Sequence, residues 1–167
     1  MTYIYYLKYF ILTFLFVSLT GFISKAYGQQ IEIENIDSNM IKEPKPIIIL
    51  LTTDWCTYCA MQQKQITKSK LKSQQLNSTY FIQFNPEENK TIIFNQKKYP
   101  YTYSGYQVGI NELTHFLSGN NKISYPYWVI LDKHYKIVQH YQGVLKQNEI
   151  DAMISNIDKV FIDNKQD

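Results

Sequence analysis

Five consecutive apolar residues, Ile47 to Leu51, extended by Thr52-Thr53, set the frame for this 167-residue chain. So short a run, rich in β-branched residues and without polar alternation, reads as a strand buried on both faces, the candidate for the central strand. The period then changes. Asp54-Trp55 makes a turn, Cys56-Thr57-Tyr58-Cys59 follows, and the stretch from Cys59 to about Leu76 suits a helix with Met61, Ile66 and Leu71 inward and its lysines outward. Thr79 to Phe84 reads as a second strand closed by Asn85-Pro86, at a distance that fits a right-handed parallel crossover.

Downstream, Thr91–Phe94 and Lys98–Tyr103 read as two short strands around Asn95-Gln96-Lys97, a hairpin insertion followed by a loop from Gly105 to Gly109. Asn111 is placed to cap a short helix carrying Leu113, Phe116 and Leu117, which Ser118-Gly119 ends. Tyr127–Leu131 and Lys136–Tyr141 form a hairpin across Asp132 to Tyr135. From Lys146 onward, Ile150, Met153, Ile154, Ile157 and Phe161 mark one apolar face of a terminal helix. Ahead of the first strand, residues 29–45 read as a polar lead-in, stopped by Pro44-Lys45-Pro46, that adds an edge strand through Ile31 and Ile33. The predicted domain spans 46–162, with a frayed tail over 163–167.

The first 28 residues follow the plan of a secretory signal: Lys8, an apolar run from Tyr9 to Val17 that continues weakly to Ile23, and Ala26-Tyr27-Gly28 at cleavage spacing. An uncleaved anchor is the competing reading, and only then is the membrane a partner. The chain is therefore expected to be exported, with the periplasm as destination and secretion or anchoring as alternatives. With Lys8 and Lys25 removed with the leader, the remaining charge is close to neutral, which argues against a nucleic-acid partner. Hydrophobic residues make up 45% of the chain, far from the composition of a disordered one.

The chain has only two cysteines, at CxxC spacing, so their role is local rather than that of a multi-bridge scaffold. A pair that ends a buried strand and opens a helix places its first thiol where unpaired N–H groups and the helix dipole favour an anion. The thiolate is the nucleophile. Cys56 can attack a disulfide, and Cys59 can then displace the product from the mixed disulfide.

Trp55-Cys56-Thr57-Tyr58-Cys59, the apolar strand before it and Tyr125-Pro126 at the start of the later hairpin together resemble the thioredoxin superfamily over residues 45–162. The resemblance implies a three-layer α/β/α thioredoxin fold with a mixed central sheet, carrying an insertion before the strand that the family opens with a cis-proline. It also implies a thiol–disulfide oxidoreductase without a bound cofactor. Cys56 and Cys59 would be catalytic, and Trp55, Tyr58, Tyr125 and Pro126 would meet substrate, the Tyr125 backbone pairing with an extended segment. Its partners would be protein thiols or disulfides, together with a redox partner that recharges the pair. Gly143 matches the family's glycine near the site.

The chain departs from the family's pattern at Leu50, where many members keep a buried acid. It also departs at Thr57-Tyr58, which is neither Gly-Pro nor Pro-His, and over residues 86–122, which are longer than the minimal fold requires. The other function class is a non-catalytic binding module that captures a partner peptide or a metal ion. His115, His134 and His140 could in principle join the thiolates, but none has telling spacing, and no metal is assigned.

Overall fold

The computed structural model describes residues 31–69, 71, 78–105, 108–119 and 121–163. Strand β1 (Ile47–Leu51) is buried at every position, as a run with no polar face requires. It pairs in parallel with β2 (Tyr80–Phe84), Ile47 beside Tyr80, and antiparallel with β7 (Tyr127–Leu131), Leu51 beside Tyr127. With β8 (Ile137–Gln142) on the far side of β7, the sheet order is β2-β1-β7-β8.

Alternation along β1 sends its side chains to two cores. Ile47, Ile49 and Leu51 join Ile82, Phe84, Tyr127 and Val129 on one face; Ile48 and Leu50 join Phe81, Trp128 and Ile130 on the other. The second face is covered by helix α2 (Thr57–Ile66), through Ile66, and by α4 (Gln147–Asp163), through Ile150, Met153, Ile154 and Ile157. The first is covered by α1 (Ile36–Lys42), the insertion and α3 (Leu113–Ser118). The expected three layers with a mixed central sheet are present.

Several local expectations are corrected. Residues 31–45 do not add an edge strand: a 3-10 turn over Ile33–Asn35 runs into α1. Ile33, Ile36 and Met40 recur at helical spacing and are buried in the first core, so this segment is part of the folded domain rather than a lead-in to it. The Ile31 N–H still reaches the sheet, donating to the Phe81 carbonyl at 3.2 Å. Helix α2 ends at Ile66 rather than Leu76, and residues 70 and 72–77 lie outside the described ones. The leader also lies outside them, as does the expected tail apart from Asp163, the last residue of α4. Among the described residues no helix is long and apolar enough to cross a membrane.

The insertion is two hairpins, not one. In the first, β3 (Ile92–Phe94) pairs with β4 (Lys97–Tyr99) across Asn95-Gln96, both at positive φ, 50° and 59°, the hand of turn that matches strand twist. Pro100 has no N–H to continue a ladder, and it divides the single strand expected over Lys98–Tyr103. In the second, β5 (Tyr101–Gly105) pairs with β6 (Val108–Asn111), so most of the Gly105–Gly109 loop is strand. Gly109 has no room for a side chain: a Cβ there would lie 2.5 Å from the Thr102 carbonyl oxygen. The N-cap of α3 is Glu112 rather than the expected Asn111; buried Asn111, one residue earlier, accepts the Leu113 N–H at 2.9 Å, and its amide donates to the Lys90 and Tyr99 carbonyls.

Candidate functional site

Strand β1 delivers the chain to the site. Beyond Leu51 the Thr52 N–H still donates to the Phe84 carbonyl at 3.0 Å, and the Cys56 N–H closes a turn on the Thr53 carbonyl at 3.2 Å. Cys56 is extended, with φ −82° and ψ 104°, and is the N-cap of α2. Ser, Thr, Asp and Asn usually fill that position because their oxygen takes up an orphan N–H. Here sulfur does so: the Cys59 N–H donates to Cys56 Sγ at 3.1 Å. Cys56 and Cys59 are joined as a disulfide, with Cα atoms 5.2 Å apart, and each is only 7% exposed.

Around the buried pair stands an exposed rim. Trp55 is 69% exposed and Tyr58 64% exposed. Trp55 is held in place: its indole N–H donates to Glu87 at 2.8 Å, and its ring meets Tyr125 edge-on with centroids 6.3 Å apart. Glu87 is set in turn by the Asn85-Pro86 stop after β2, where the Asn85 side chain accepts the Glu87 N–H at 3.0 Å. Burial, and next the charge of Glu87, push the Tyr125 hydroxyl up to about 12.

Tyr125-Pro126 is a cis peptide bond. Because Leu51 and Tyr127 are partners across β1 and β7, Pro126 lies beside the end of β1 from which the cysteine turn emerges. Gly143, at φ +89°, donates its N–H to the Pro126 carbonyl at 2.9 Å, which ties the end of β8 to the proline. The structure thus joins Cys56 to Cys59 and Trp55 to Tyr125, and it places Tyr58 on the first turn of α2.

Met61, expected to face inward, is 48% exposed, because the buried stripe of α2 is Cys59, Gln62 and Ile66. Sequence reasoning missed Gln62 and Glu87. The signal for the first was its place three residues after Cys59 on that stripe, and for the second its place just after a turn-forming Asn-Pro. Leu50 is fully buried opposite Trp128, in an apolar layer that includes Ile66 of α2.

Among the described residues no three His, Cys, Asp or Glu side chains gather closely enough to hold a metal ion. His115 is exposed on α3, His134 is in the β7–β8 turn, and His140 lies on β8 with its ring beside Tyr127. Thr53, 4% exposed behind the cysteine turn, has a hydroxyl without a partner among the described residues. An unsatisfied buried hydroxyl contributes nothing favourable, so Thr53→Val is expected to leave stability unchanged or raise it by about 1 kcal/mol in denaturant titration. A clear loss would show that the hydroxyl is bonded in solution.

No protein-family profile and no curated protein matches this sequence. Solved structures do. A point mutant of thioredoxin from Halobacterium salinarum NRC-1 superposes with a TM-score of 0.51 at 10% identity, covering 78% of this chain and 91% of that one. Thioredoxin f from spinach chloroplast gives 0.49 at 16% identity, over 81% and 98%. An uncharacterised thioredoxin-like protein from Clostridium perfringens gives 0.45 at 20% identity, over 84% and 90%. The last two scores are too low to add weight, and the first speaks to fold alone. Together with the sheet order and the helices on both faces, it establishes that this chain has the thioredoxin fold, and its Cys56–Cys59 disulfide in a Trp-Cys-x-x-Cys motif fits a member of the thioredoxin superfamily.

Proposed function

We propose that this protein is an exported thiol–disulfide oxidoreductase that exchanges disulfides with protein substrates through Cys56 and Cys59. The observation that carries the reading is the placing of Cys56 Sγ at the N-cap of α2, accepting the Cys59 N–H. When the disulfide is opened, the same N–H and the helix dipole stabilise a thiolate there. In the reductive direction that thiolate attacks one sulfur of a substrate disulfide, and the other leaves as a thiolate. Cys59, as a thiolate, then attacks Cys56 of the mixed disulfide, releasing the second substrate sulfur and re-forming the intramolecular bond. Two electrons pass to the substrate, and the oxidative direction is the reverse. The two sulfurs carry the electrons, so a second protein must recharge the pair.

Trp55, Tyr58, Tyr125 and Pro126 form the docking rim in this reading. An exposed indole fixed by Glu87 offers a preorganised apolar surface, and the Tyr125 backbone can pair with an extended segment. Export rests on the leader-like residues 1–28, and it places the pair where disulfides persist.

The test is the reduction potential of the Cys56–Cys59 pair, equilibrated in glutathione and dithiothreitol buffers, with Cys56→Ser as control. A poise within the range of dithiol enzymes, roughly −120 to −270 mV, supports exchange. A pair that stays oxidised in strong dithiol, or that holds a stoichiometric metal once reduced, replaces this reading with that of a binding module.

A further inference from the structure

Gln62 is fully buried on the helix that begins at the cysteines, on the same stripe as Cys59 and Ile66. Burying a glutamine immobilises a long side chain and desolvates an amide, each unfavourable, so an apolar residue would be the simpler occupant. Both ends of this amide are matched instead. Its Oε1 accepts the Leu145 N–H at 2.7 Å, and its Nε2 donates to the Leu145 carbonyl at 3.1 Å. The amide therefore pairs with one residue's backbone much as a neighbouring strand does. A second glutamine one turn on adds to the tie, Gln65 accepting the Gln147 N–H at 3.2 Å.

Leu145 lies between β8 and α4, two residues after Gly143, whose N–H is bonded to the Pro126 carbonyl. The connection thus runs in series from the cysteine helix through Gln62 to Leu145, back two residues to Gly143, and across to Pro126. Neither the cysteines nor the Tyr125-Pro126 turn need contact Gln62 for it to set their mutual register.

We propose that Gln62 is a positioning residue, which holds the Tyr125-Pro126 shelf in register with Cys56 through Leu145 and Gly143. This role rests on the exchange reading above. A protein substrate must meet the shelf and the sulfur together, so it feels the register. A small dithiol meets only the sulfur and does not. Misplacing a docking surface by about 1 Å can reduce turnover roughly 100-fold.

The experiment compares wild type, Gln62→Met and Gln62→Glu in reduction of the insulin disulfides, in exchange with dithiothreitol, and in reduction potential. Gln62→Met keeps the length and apolar packing but neither hydrogen bond. It is expected to raise KM and lower kcat/KM for insulin roughly 10- to 100-fold, with the dithiothreitol rate and the potential unchanged. Gln62→Glu adds a readout that packing alone does not move. Burial raises a carboxyl pKa, and the protonated acid restores one donor and one acceptor. The ratio of its insulin rate to that of wild type is therefore expected to rise as pH falls through the raised pKa, and to drop above it.

The proposal is overturned if Gln62→Met keeps the wild-type insulin KM, if it loses insulin and dithiothreitol reactions in parallel, or if the Gln62→Glu ratio is flat with pH. A wild-type protein that exchanges with neither reagent sinks the exchange reading itself, a result distinct from all three.

Discussion

Cys56→Ser is expected to reduce protein-disulfide exchange to the uncatalysed background, while Cys59→Ser keeps the first half of the reaction and stalls on a covalent mixed disulfide. The asymmetry comes from the N-cap. Cys56 Sγ occupies the place of a capping oxygen, with the Cys59 N–H at 3.1 Å and the aligned peptide dipoles of α2 behind it. A charge at a helix N-terminus gains about 0.3–1 kcal/mol from the dipole, more when partly buried, and a charge-assisted hydrogen bond adds to this. Cys59 lies within the first turn, where its own N–H serves Cys56. From that position it can reach a mixed disulfide on Cys56 and resolve it. A gel under non-reducing conditions, read after mixing Cys59→Ser with a disulfide-containing substrate, checks the assignment. If Cys56→Ser gives the adduct and Cys59→Ser does not, the roles are reversed.

A buried acid cannot help here in the way a carboxylate beneath the pair would. Leu50 is fully buried among Ile48, Ile66, Trp128 and Ile130, and among the described residues no Asp or Glu is buried. The rate of the first step in wild type is accordingly expected to follow the ionisation of the attacking thiol alone.

The outline of the fold was legible because it rests on period. The unbroken runs Ile47–Leu51 and Tyr127–Leu131 and the stripe through Ile150, Met153 and Ile157 each state their structure in the spacing of their apolar residues. Trp-Cys-x-x-Cys was legible because it stands at the junction of two such periods. The polar contacts were not. Glu87 meets Trp55 across 32 residues and Gln62 meets Leu145 across 83, and no local pattern reports a partner that distant. The exposure of Met61 has the same origin. A polar Gln62 took the inward position that a residue-by-residue hydrophobic reading assigns to methionine. In residues 31–45 the helical spacing of Ile33, Ile36 and Met40 is hidden among many charges.

Asp37, in the same segment, is a polar residue outside the site whose loss is expected to weaken the fold markedly. Its Oδ1 accepts the Asn95 N–H at 2.8 Å and the Tyr135 hydroxyl at 2.7 Å, and its Oδ2 accepts the Gln96 N–H at 2.8 Å. One carboxylate on α1 thus pins the left-handed turn of the β3–β4 hairpin and the tyrosine, also at positive φ, in the turn between β7 and β8. Hydrogen bonds to a charged group contribute about 1.5–3 kcal/mol when buried and less where water competes, so Asp37→Ala is expected to cost about 3 kcal/mol in all. For a domain of this size that lowers Tm by roughly 10 °C. Asp37→Asn keeps one acceptor but turns an N–H₂ toward a backbone N–H, and it falls between Asp37→Ala and Tyr135→Phe, which removes a single bond. Burial, and then Asp37, raise the Tyr135 hydroxyl above the ordinary tyrosine range. A folded-state pKa raised above the unfolded value gives stability that is complete below about pH 10 and is lost as pH rises toward the folded value. Wild type should therefore lose stability more steeply than Tyr135→Phe above that pH. If Asp37→Ala costs no more than Tyr135→Phe in denaturant titration at neutral pH, the bonds to the hairpin turn contribute nothing. The first hairpin would then be held by the packing of Ile92, Phe94 and Tyr99 in the core alone.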